Sequence, residues 1–261
     1  MTIKRSDLFT HERRQQIINI LEEQQRATVP ELSRRFDVSE VTIRKDLAWL
    51  ANLKPIVRTH GGAVLVSGNG NELDFDTRER LQHQEKARIG AAGANLVNDG
   101  ETIALDSSTS ALYLARALRS TFKELTVVTN NLRSAMELCG KPGVSVIMSG
   151  GIVRWEAYSL INTLEDSIFQ HVHIKRAFVG AKGFSLDEGL TDVNRDEVLL
   201  KRTMVEAAKE VVALIDHTKW DRIALATFCK TDRLKTIITD AATPQHLIAT
   251  VRDYGIEVVI V

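Results

Sequence analysis

The amino-acid sequence predicts two domains: a small, mostly helical domain, followed by a larger α/β domain with a mostly parallel sheet. Short helical patterns in the first 66 residues end in a compact Gly-Gly turn. Residues 67–71, Ser-Gly-Asn-Gly-Asn, are small and polar and lack hydrophobic periodicity, which is typical of a linker. Beyond them, apolar strand-like runs alternate with helical patterns, which indicates a sheet covered by helices. We therefore expect a first domain over residues 1–66, a linker over 67–84 and an α/β domain over 85–261.

Composition excludes several classes of protein. The chain of 261 residues is 44% apolar and 26% charged, as in an ordinary soluble globular protein. Its apolar runs stay well short of the ~20 residues of a membrane helix, and residues 1–7 lack the apolar core of a signal peptide. The two cysteines, Cys139 and Cys229, cannot build a disulfide framework, which favours a reducing cytoplasm. His171 and His173 would share a face if extended, but a third ligand at metal-binding spacing is missing from the sequence, so we expect neither a metal nor a cofactor.

Three helices and a hairpin are predicted in the first domain. The helices are predicted over residues 12–25, from Pro30 through Phe36, and over 40–50, and the hairpin strands over 56–59 and 63–66. Pro30 suits a first-turn position because the N–H that it lacks would be unpaired there. Ser39 is a natural N-cap for the third helix. In that helix Ile43, Leu47 and Leu50 repeat at helical spacing, and we expect them to face inward.

Polar and basic side chains occupy the opposite face of the third helix: Ser39, Thr42, Arg44 and Lys45. Two helices joined by a tight connection are typical of a helix-turn-helix, whose second helix enters the major groove of DNA. Arginine can contact guanine in a bidentate manner, threonine can meet the thymine methyl group, and lysine or serine can bind phosphate. Arg58 and His60, near the hairpin tip, would contact the DNA backbone as a wing.

A helical interaction module with a solvated Arg-Lys face is the alternative for this domain. Residues 1–66 hold 11 Lys and Arg against 8 Asp and Glu, whereas the remaining residues hold 23 against 26, a difference that is common by chance. The Ser39 cap, the positions of Arg44 and Lys45 and the Gly-Gly hairpin together favour DNA binding.

Eight strands and five helices are predicted in the second domain. The strands are predicted over residues 102–106, 125–129, 144–148, 176–180, 211–215, 223–227, 236–239 and 257–261, and the helices over 85–97, 111–121, 132–139, 195–209 and 244–254. Alternation of this kind is typical of strands that run parallel with helices on the faces of the sheet.

Polar or glycine-rich loops follow three successive predicted strands. The first loop contains Asp106, Ser107, Ser108, Thr109 and Ser110, the second Thr129 and Asn130, and the third Gly150 and Gly151. The hydroxyl-rich loop opens a helix, whose N-terminus favours an anion. A plain N-cap with surface serines is an equally common reason for such a string. The carboxyl ends of parallel strands are, however, where an open α/β sheet binds its ligand.

Two segments of the first domain resemble a known family. Residues 38–47, Val-Ser-Glu-Val-Thr-Ile-Arg-Lys-Asp-Leu, followed by residues 58–63, Arg-Thr-His-Gly-Gly-Ala, resemble the N-terminal signature of DeoR-type bacterial transcriptional repressors. The chain departs from that signature at Lys54-Pro55, where the family usually has a glycine. The resemblance implies a winged helix-turn-helix that binds operator DNA.

Later segments resemble the effector domain of the same family, in order: residues 89–90, 105–110, 128–130, 150–151, 189–191 and 216–219. That domain is similar in fold to ribose-phosphate isomerases and glucosamine-phosphate deaminases, so the resemblance implies a phosphorylated sugar as ligand. The chain departs from the family at Ser108 and Asn162, where glycine is usual.

The resemblance implies a repressor of a carbohydrate-utilisation operon whose operator affinity is controlled by a phosphorylated sugar. Asp216 and Lys219 are then candidates for binding the sugar hydroxyls or carbonyl, and Glu197 is a further candidate. Arg78 and Lys86 align with basic family positions implicated in effector response. Because symmetric operators require at least two DNA-binding domains, we expect a homo-oligomer, either a dimer or a tetramer.

An enzyme is the alternative function. An acid and a lysine, such as Asp216 and Lys219, could abstract a proton from a sugar phosphate, as in an isomerase or deaminase that carries a DNA-binding appendage. The attached DNA-binding domain favours a regulator, because an isomerase has no need of one.

Overall fold

A computed structural model of the protein describes residues 10–24, 26–51, 56–59, 61–65, 73–118, 122–161 and 167–261. Contacts divide the chain into two compact units, and the boundary falls between Leu73 and Asp74. Asn162, Pro55 and the predicted linker core at 67–71 lie outside the described residues.

The first unit contains three helices and three short strands within its described part. They are α1 (Thr10–Gln24), β1 (Arg26–Thr28), α2 (Val29–Phe36), α3 (Glu40–Ala51), β2 (Ile56–Thr59) and β3 (Gly62–Leu65). The strands form an antiparallel sheet in the order β1-β3-β2, so the predicted winged helix-turn-helix architecture is confirmed. The inward stripe of Ile43, Leu47 and Leu50 is buried against residues of α1 and α2, as predicted.

Strand β1 was not predicted, and two local features explain it. Thr28 caps α2: its hydroxyl accepts a hydrogen bond from the Glu31 N–H (3.3 Å), and the Glu31 carboxylate accepts one from the Thr28 N–H (2.9 Å). A Cβ at Gly62 would lie 2.1 Å from the Ala27 carbonyl oxygen, so only glycine allows β3 to pair with β1.

The second unit is built on a parallel sheet. Its strands are β4 (Glu101–Leu105), β5 (Leu125–Thr129), β6 (Val144–Met148), β9 (Ile174–Val179), β12 (Ala208–Leu214), β14 (Leu234–Thr239) and β15 (Glu257–Ile260). Within the described residues they lie in the order β15-β14-β12-β9-β4-β5-β6, and each neighbouring pair is parallel. The helices of this unit are α4 (Phe75–Arg80), α5 (His83–Ala94), α6 (Thr109–Ala117), α7 (Leu132–Leu138), α8 (Arg195–Ala207) and α9 (Gln245–Asp253).

The order of the strands reverses at the middle of this sheet. From β4 the chain proceeds to β5 and β6 on one side, and from β9 it proceeds to β12, β14 and β15 on the other. The connections after β4 and β9 therefore run in opposite directions along the sheet, and the switch point lies at the carboxyl ends of these two strands. The alternation of apolar runs and helical patterns predicted this α/β architecture correctly.

Smaller antiparallel elements flank the sheet. They are the hairpin of β7 (Ile152–Arg154) and β8 (Ser159–Ile161), and the sheet of β10 (Gly183–Ser185), β11 (Gly189–Asp192) and β13 (Ala226–Cys229). The strand predicted over 223–227 was partly wrong: β13 begins at Ala226 and pairs with β11 instead of joining the parallel sheet.

The segment 67–84, expected to be a linker, contains regular structure in its second half. Helix α4 occupies Phe75–Arg80, and the Phe75 side chain is buried beside the Tyr158 ring, with 5.6 Å between the ring centroids. Residues from Asp74 onwards belong by their contacts to the second unit.

Candidate nucleic-acid interface and anion site

Helix α3 presents its polar face as the sequence predicted. The Ser39 hydroxyl accepts a hydrogen bond from the Thr42 N–H at 3.2 Å and therefore caps the helix. Arg44 and Lys45 are exposed, and the Arg44 guanidinium lies 2.6 Å from the Glu40 carboxylate. An exposed ion pair of this kind is worth little, so Arg44 remains available to a base edge. The backbone of Arg58 lies in β2, whereas its side chain and His60 fall outside the structural description.

A buried carboxylate holds α3 against α1. Asp46 receives the Arg13 Nε at 2.7 Å and the Arg14 Nε at 2.7 Å, one on each oxygen. The Arg14 guanidinium also lies 4.2 Å from the centroid of the Trp49 ring. Sequence reasoning missed this contact. A signal was present, because Asp46 falls among Ile43, Leu47 and Leu50 on the inward stripe, where a carboxylate requires a cationic partner.

In the second unit, Asp106 joins the loops at the switch point of the sheet. One carboxylate oxygen accepts from the Ser108 N–H (3.0 Å), and the other accepts from the Gly180 N–H after β9 (2.9 Å). The buried Lys201 ammonium lies 3.0 Å from Asp106 and 2.7 Å from Asp192. Burial alone would lower the pKa of Lys201, but these two carboxylates raise it. Lys201 and Asp192 were not predicted as site residues.

The hydroxyl-rich loop is not a string of surface serines. Ser107, Thr109 and Ser110 are 4%, 5% and 6% exposed, respectively. Ser108 caps α6, since its hydroxyl accepts from the Ala111 N–H at 3.1 Å. A Cβ at Gly180 would lie 2.5 Å from the Ser108 Cβ, so the loops after β4 and β9 touch at this point.

Glu197 gathers donors from several loops. Its carboxylate accepts from the Ser107 hydroxyl (2.7 Å), the Asn130 Nδ2 (3.5 Å), the Arg154 Nη1 (3.2 Å) and the Ser159 hydroxyl. The Asn130 Oδ1, in contrast, is buried and has no hydrogen-bond partner among the described residues. Arg154 and Ser159 were missed by sequence reasoning, although an arginine three residues after Gly150-Gly151 was a visible signal.

Thr129, Gly150 and Gly151, from the other two predicted loops, act on the backbone. The Thr129 hydroxyl donates to the Leu105 carbonyl (2.8 Å) and accepts from the Asn131 N–H (3.1 Å), so it ties β5 to β4. Gly150 and Gly151 are exposed, with φ of 69° and 112°, and they turn the chain from β6 into the β7–β8 hairpin. That hairpin carries Arg154 and Ser159 to Glu197.

Asp216 and Lys219 form a second group, at the carboxyl end of β12. Asp216 is buried and accepts from the Thr218 N–H at 2.9 Å, and its other oxygen lies 4.0 Å from the Lys219 ammonium. Burial raises the pKa of Asp216, but Lys219 and the hydrogen bonds from Thr218 outweigh that effect and lower it. Because Asp216 is buried, this is not a surface ion pair.

Lys86 lies within electrostatic reach of that group. Its ammonium donates to the carbonyls of Arg78 and Leu81, which ties α5 to the end of α4. Burial lowers the pKa of Lys86 to about 7, Asp216 opposes this shift, and Lys219 and Arg78 reinforce it. Among the predicted ligand residues, the structure thus brings Ser107 and Asn130 together at Glu197, and it places Lys219 beside Asp216 in a second group.

Across the described part of the chain, His, Cys, Asp and Glu side chains form no cluster of three or more suited to a metal ion. Among the helices that the structure describes, none combines the length and the apolar character needed to cross a membrane.

Two family models match the chain. Residues 13–69 match the DeoR-like helix-turn-helix domain, and residues 81–241 match the DeoR C terminal sensor domain.

Individual proteins are similar as well. The HTH-type transcriptional regulator GolR of Listeria innocua is 39% identical over 251 residues, which cover 96% of this chain and 98% of that protein. The glycerol-3-phosphate regulon repressor of Escherichia coli K12 is 31% identical over 241 residues, 92% of this chain and 95% of that protein. Among solved structures, ribose 5-phosphate isomerase A of Methanocaldococcus jannaschii matches 53% of this chain and 54% of its own, with 15% identity and a TM-score of 0.38.

Proposed function

Because the chain belongs to the DeoR family of transcriptional regulators, we propose that it represses a carbohydrate-utilisation operon and that a phosphorylated sugar controls its affinity for the operator. The chain is a DNA-binding transcriptional regulator. One relative is named as the repressor of the glycerol-3-phosphate regulon, and glycerol 3-phosphate is a phosphorylated polyol. The observation that carries the proposal is the buried set of hydroxyl, amide and charged groups at the carboxyl ends of the parallel strands, beside the switch point.

The phosphate end of the ligand is assigned to Ser107–Ser110. These residues lie at the N-terminus of α6, where backbone N–H groups and the helix dipole favour an anion. Asp106 holds the loop in place through its bonds to the Ser108 and Gly180 N–H groups. Both carboxylate oxygens of Asp106 already accept these hydrogen bonds, and one of them lies beside the Lys201 ammonium. We therefore assign Asp106 a positioning role.

The sugar end of the ligand is assigned to Asn130, Asp216 and Lys219. The Asn130 Oδ1 is a buried acceptor without a donor among the described residues, and a sugar hydroxyl is a donor of the right kind. The Lys219 side chain is partly exposed, whereas the Asp216 carboxylate beside it is buried. The Lys219 ammonium can therefore contact a ligand while it stays close to the Asp216 carboxylate.

Operator binding is assigned to α3 and the β2–β3 hairpin. In this proposal Arg44 and Thr42 contact base edges, while Ser39, Lys45, Arg58 and His60 contact the DNA backbone. Asp46 sets the orientation of α3 through Arg13 and Arg14.

Helix α4 is the proposed connection between ligand and operator. It is the first helix of the second unit, and it contacts residues that neighbour the Glu197 group in sequence or lie within electrostatic reach of Asp216. Its C-terminal carbonyls receive Lys86, and its Asp76 receives the Arg133 guanidinium (2.9 Å) and the Tyr158 hydroxyl (3.4 Å). Tyr158 directly precedes Ser159, whose hydroxyl donates to Glu197. In this proposal, a ligand that displaces Tyr158 or Lys86 also displaces α4.

The isomerase or deaminase alternative is not favoured. The similar proteins that cover nearly the whole chain are named as regulators and repressors. A turnover assay with purified protein and a panel of sugar phosphates discriminates the two functions, because a regulator binds its effector without converting it.

The first test measures release of the operator. Fluorescence anisotropy of a labelled operator is titrated with phosphorylated sugars and with the same sugars lacking phosphate. We expect one phosphorylated sugar to release the DNA and its unphosphorylated form to be inactive. The Ser107→Ala/Thr109→Ala protein should bind the operator normally but require more ligand. Failure of every phosphorylated compound to change operator affinity contradicts the proposal.

The second test concerns Lys219. Lys219→Ala should bind the operator and fail to release it, because Lys219 discriminates between the DNA-competent and incompetent states. Lys235→Ala, which removes an exposed lysine of β14, is the matched control and should respond as wild type. Normal release by the Lys219→Ala protein removes the proposed role of this residue.

A further inference from the structure

Arg154 is a nearly buried cation beside the hydroxyl-rich loop. Its side chain is 11% exposed, and its Nη1 lies 3.2 Å from Glu197. The other oxygen of that same carboxylate receives the Ser107 hydroxyl. Arg154 and Ser107 are thus separated by a single carboxylate group, although they stand 47 positions apart in the sequence, 154 against 107.

The Glu197 carboxylate is saturated with donors. Two carboxylate oxygens offer about four lone-pair sites, and Glu197 accepts from four side chains. Those side chains come from four separate segments: the loops after β4 and β5, and the strands β7 and β8. The donors that meet at Glu197 are two hydroxyls, an amide N–H and a guanidinium. Proteins use donors of these kinds to bind phosphate and carboxylate groups.

The orientation of Asn130 supports a ligand at this place. Its Nδ2 faces two acceptors, the Leu160 carbonyl (3.3 Å) and Glu197 (3.5 Å), so a flipped amide would place an oxygen against both. The network therefore fixes which of the two amide atoms is Oδ1. It is a buried acceptor that lacks a donor within the described residues, and a hydroxyl next to an anionic group would supply that donor.

We propose that Arg154, Ser107 and Ser159 bind the anionic group of the ligand, and that the Glu197 carboxylate competes with that group for these three donors. The Glu197 carboxylate and the anionic group of the ligand would repel each other at a buried site. The single Arg154 guanidinium can neutralise only one of the two charges. Ligand binding then requires Glu197 to give up its donors, which loosens α8 from the β7–β8 hairpin. The proposal rests on the proposed function only for the class of ligand, a phosphorylated one.

The competition predicts opposite signs for two conservative variants. Arg154→Gln keeps hydrogen-bonding groups but loses the charge, and it should weaken binding of inorganic phosphate by about tenfold or more. Glu197→Gln keeps the shape of the side chain but loses the competing charge, and it should tighten phosphate binding by about tenfold. Isothermal titration calorimetry of the full chain with inorganic phosphate measures both effects.

Matched controls separate local competition from a change in net charge. Arg195→Gln and Glu206→Gln remove exposed charges at the two ends of α8, and both should bind phosphate like the wild type. Circular dichroism melting curves establish that each variant is folded. If Glu197→Gln does not fold, Ser159→Ala replaces it: this variant removes one donor without changing charge, and it should weaken phosphate binding.

Several outcomes overturn the proposal. Unchanged phosphate affinity in folded Arg154→Gln does so, as does weaker binding by folded Glu197→Gln, because the latter would mean that the Glu197 carboxylate holds the donors in place for the anion instead of competing with it. If Arg154→Gln releases the operator at wild-type concentrations of an active sugar phosphate, this site fails while the proposed function stands. Phosphate affinity could fall in Arg154→Gln and rise in Glu197→Gln, as expected, while sugar phosphates leave operator binding unchanged. In that case the site stands and the proposed effector class fails.

Discussion

Lys86 is the buried lysine through which the second unit should respond to pH. Its pKa lies at about 7, against 10.5 for an ordinary lysine, because burial disfavours the ammonium. Between these two values the unfolded chain binds a proton that the folded chain does not. The free energy of unfolding therefore rises with pH across this window, with a slope of up to about 1.4 kcal/mol per pH unit.

The expected result is a wild-type protein that becomes more stable between pH 7 and pH 10 relative to Lys86→Met, which has no titrating group at this position. Urea unfolding across this range measures the difference. Lys235→Met changes an exposed lysine and should follow the wild-type slope. Parallel pH dependences of the wild type and Lys86→Met would mean that Lys86 remains charged throughout.

Arg44 and Lys45 should differ in what they contribute to operator binding. Arg44→Ala should cost about 1–3 kcal/mol and relax base preference, as for a lost bidentate contact. Lys45→Ala should weaken all sequences alike and flatten the dependence on log salt by about one unit, as for a lost phosphate contact. Anisotropy titrations with operator and mutated operator at several salt concentrations measure both, and unchanged affinity in both variants removes α3 as the recognition helix.

Apolar residues were easier to place from the sequence than charged ones. The inward stripe of α3 followed from periodicity alone, and the structure confirms it. The partners of Asp106 did not follow, because Lys201 lies 95 positions further along the chain, 201 against 106, and meets it only when β4 and β9 are neighbours. Pairings of buried charges depend on the completed fold, so a sequence pattern names the candidates and not their partners.

At the scale of elements, the contact of α4 with the β7–β8 hairpin should carry the coupling between ligand and operator. Asp76→Asn weakens the contacts of α4 with Arg133 and Tyr158, which are not among the proposed ligand-binding residues. We expect normal operator binding and normal ligand binding, but a change in operator affinity on ligand addition that is smaller by about threefold or more.

Operator titrations with and without saturating sugar phosphate measure that ratio for Asp76→Asn. Asp253→Asn, an exposed carboxylate at the end of α9, is the control and should couple as wild type. A wild-type ratio in Asp76→Asn would place the connection elsewhere in the second unit.

Strands of the parallel sheet could be predicted from their apolar runs, whereas elements outside that sheet depended on contacts with distant parts of the chain. The apolar runs at 125–129 and 144–148 are strands with the predicted bounds. The run at 223–227 misled because Ile223 and Leu225 are 66% and 74% exposed, outside any strand. Helix α4 was missed because its residues, Phe-Asp-Thr-Arg-Glu-Arg, give a charged pattern typical of a solvated segment, while its one buried aromatic ring finds Tyr158 only in the fold.

For the whole molecule we expect self-association through the second unit. A single helix-turn-helix covers one half-site, and a symmetric operator requires two. Most of the large apolar side chains that are exposed in the described residues belong to the second unit, among them Met136, Ile152, Val153 and Trp155. Multi-angle light scattering of the full chain should give at least a dimer. A monomer that binds the operator with full affinity would contradict this expectation.

The close approach of Gly180 and Ser108 constrains the order in which the two positions can change during evolution. Gly180→Ala alone places a methyl group against the Ser108 side chain and should cost about 1–3 kcal/mol of stability. Ser108→Gly alone costs only a few tenths, because glycine is a tolerable N-cap, and it removes the atoms that obstruct position 180. Thermal melts of the two single variants and the double variant should therefore show strong non-additivity. A lineage can acquire alanine at 180 cheaply only after glycine has appeared at 108, so one of the two mutational routes between these sequences is open and the other is closed.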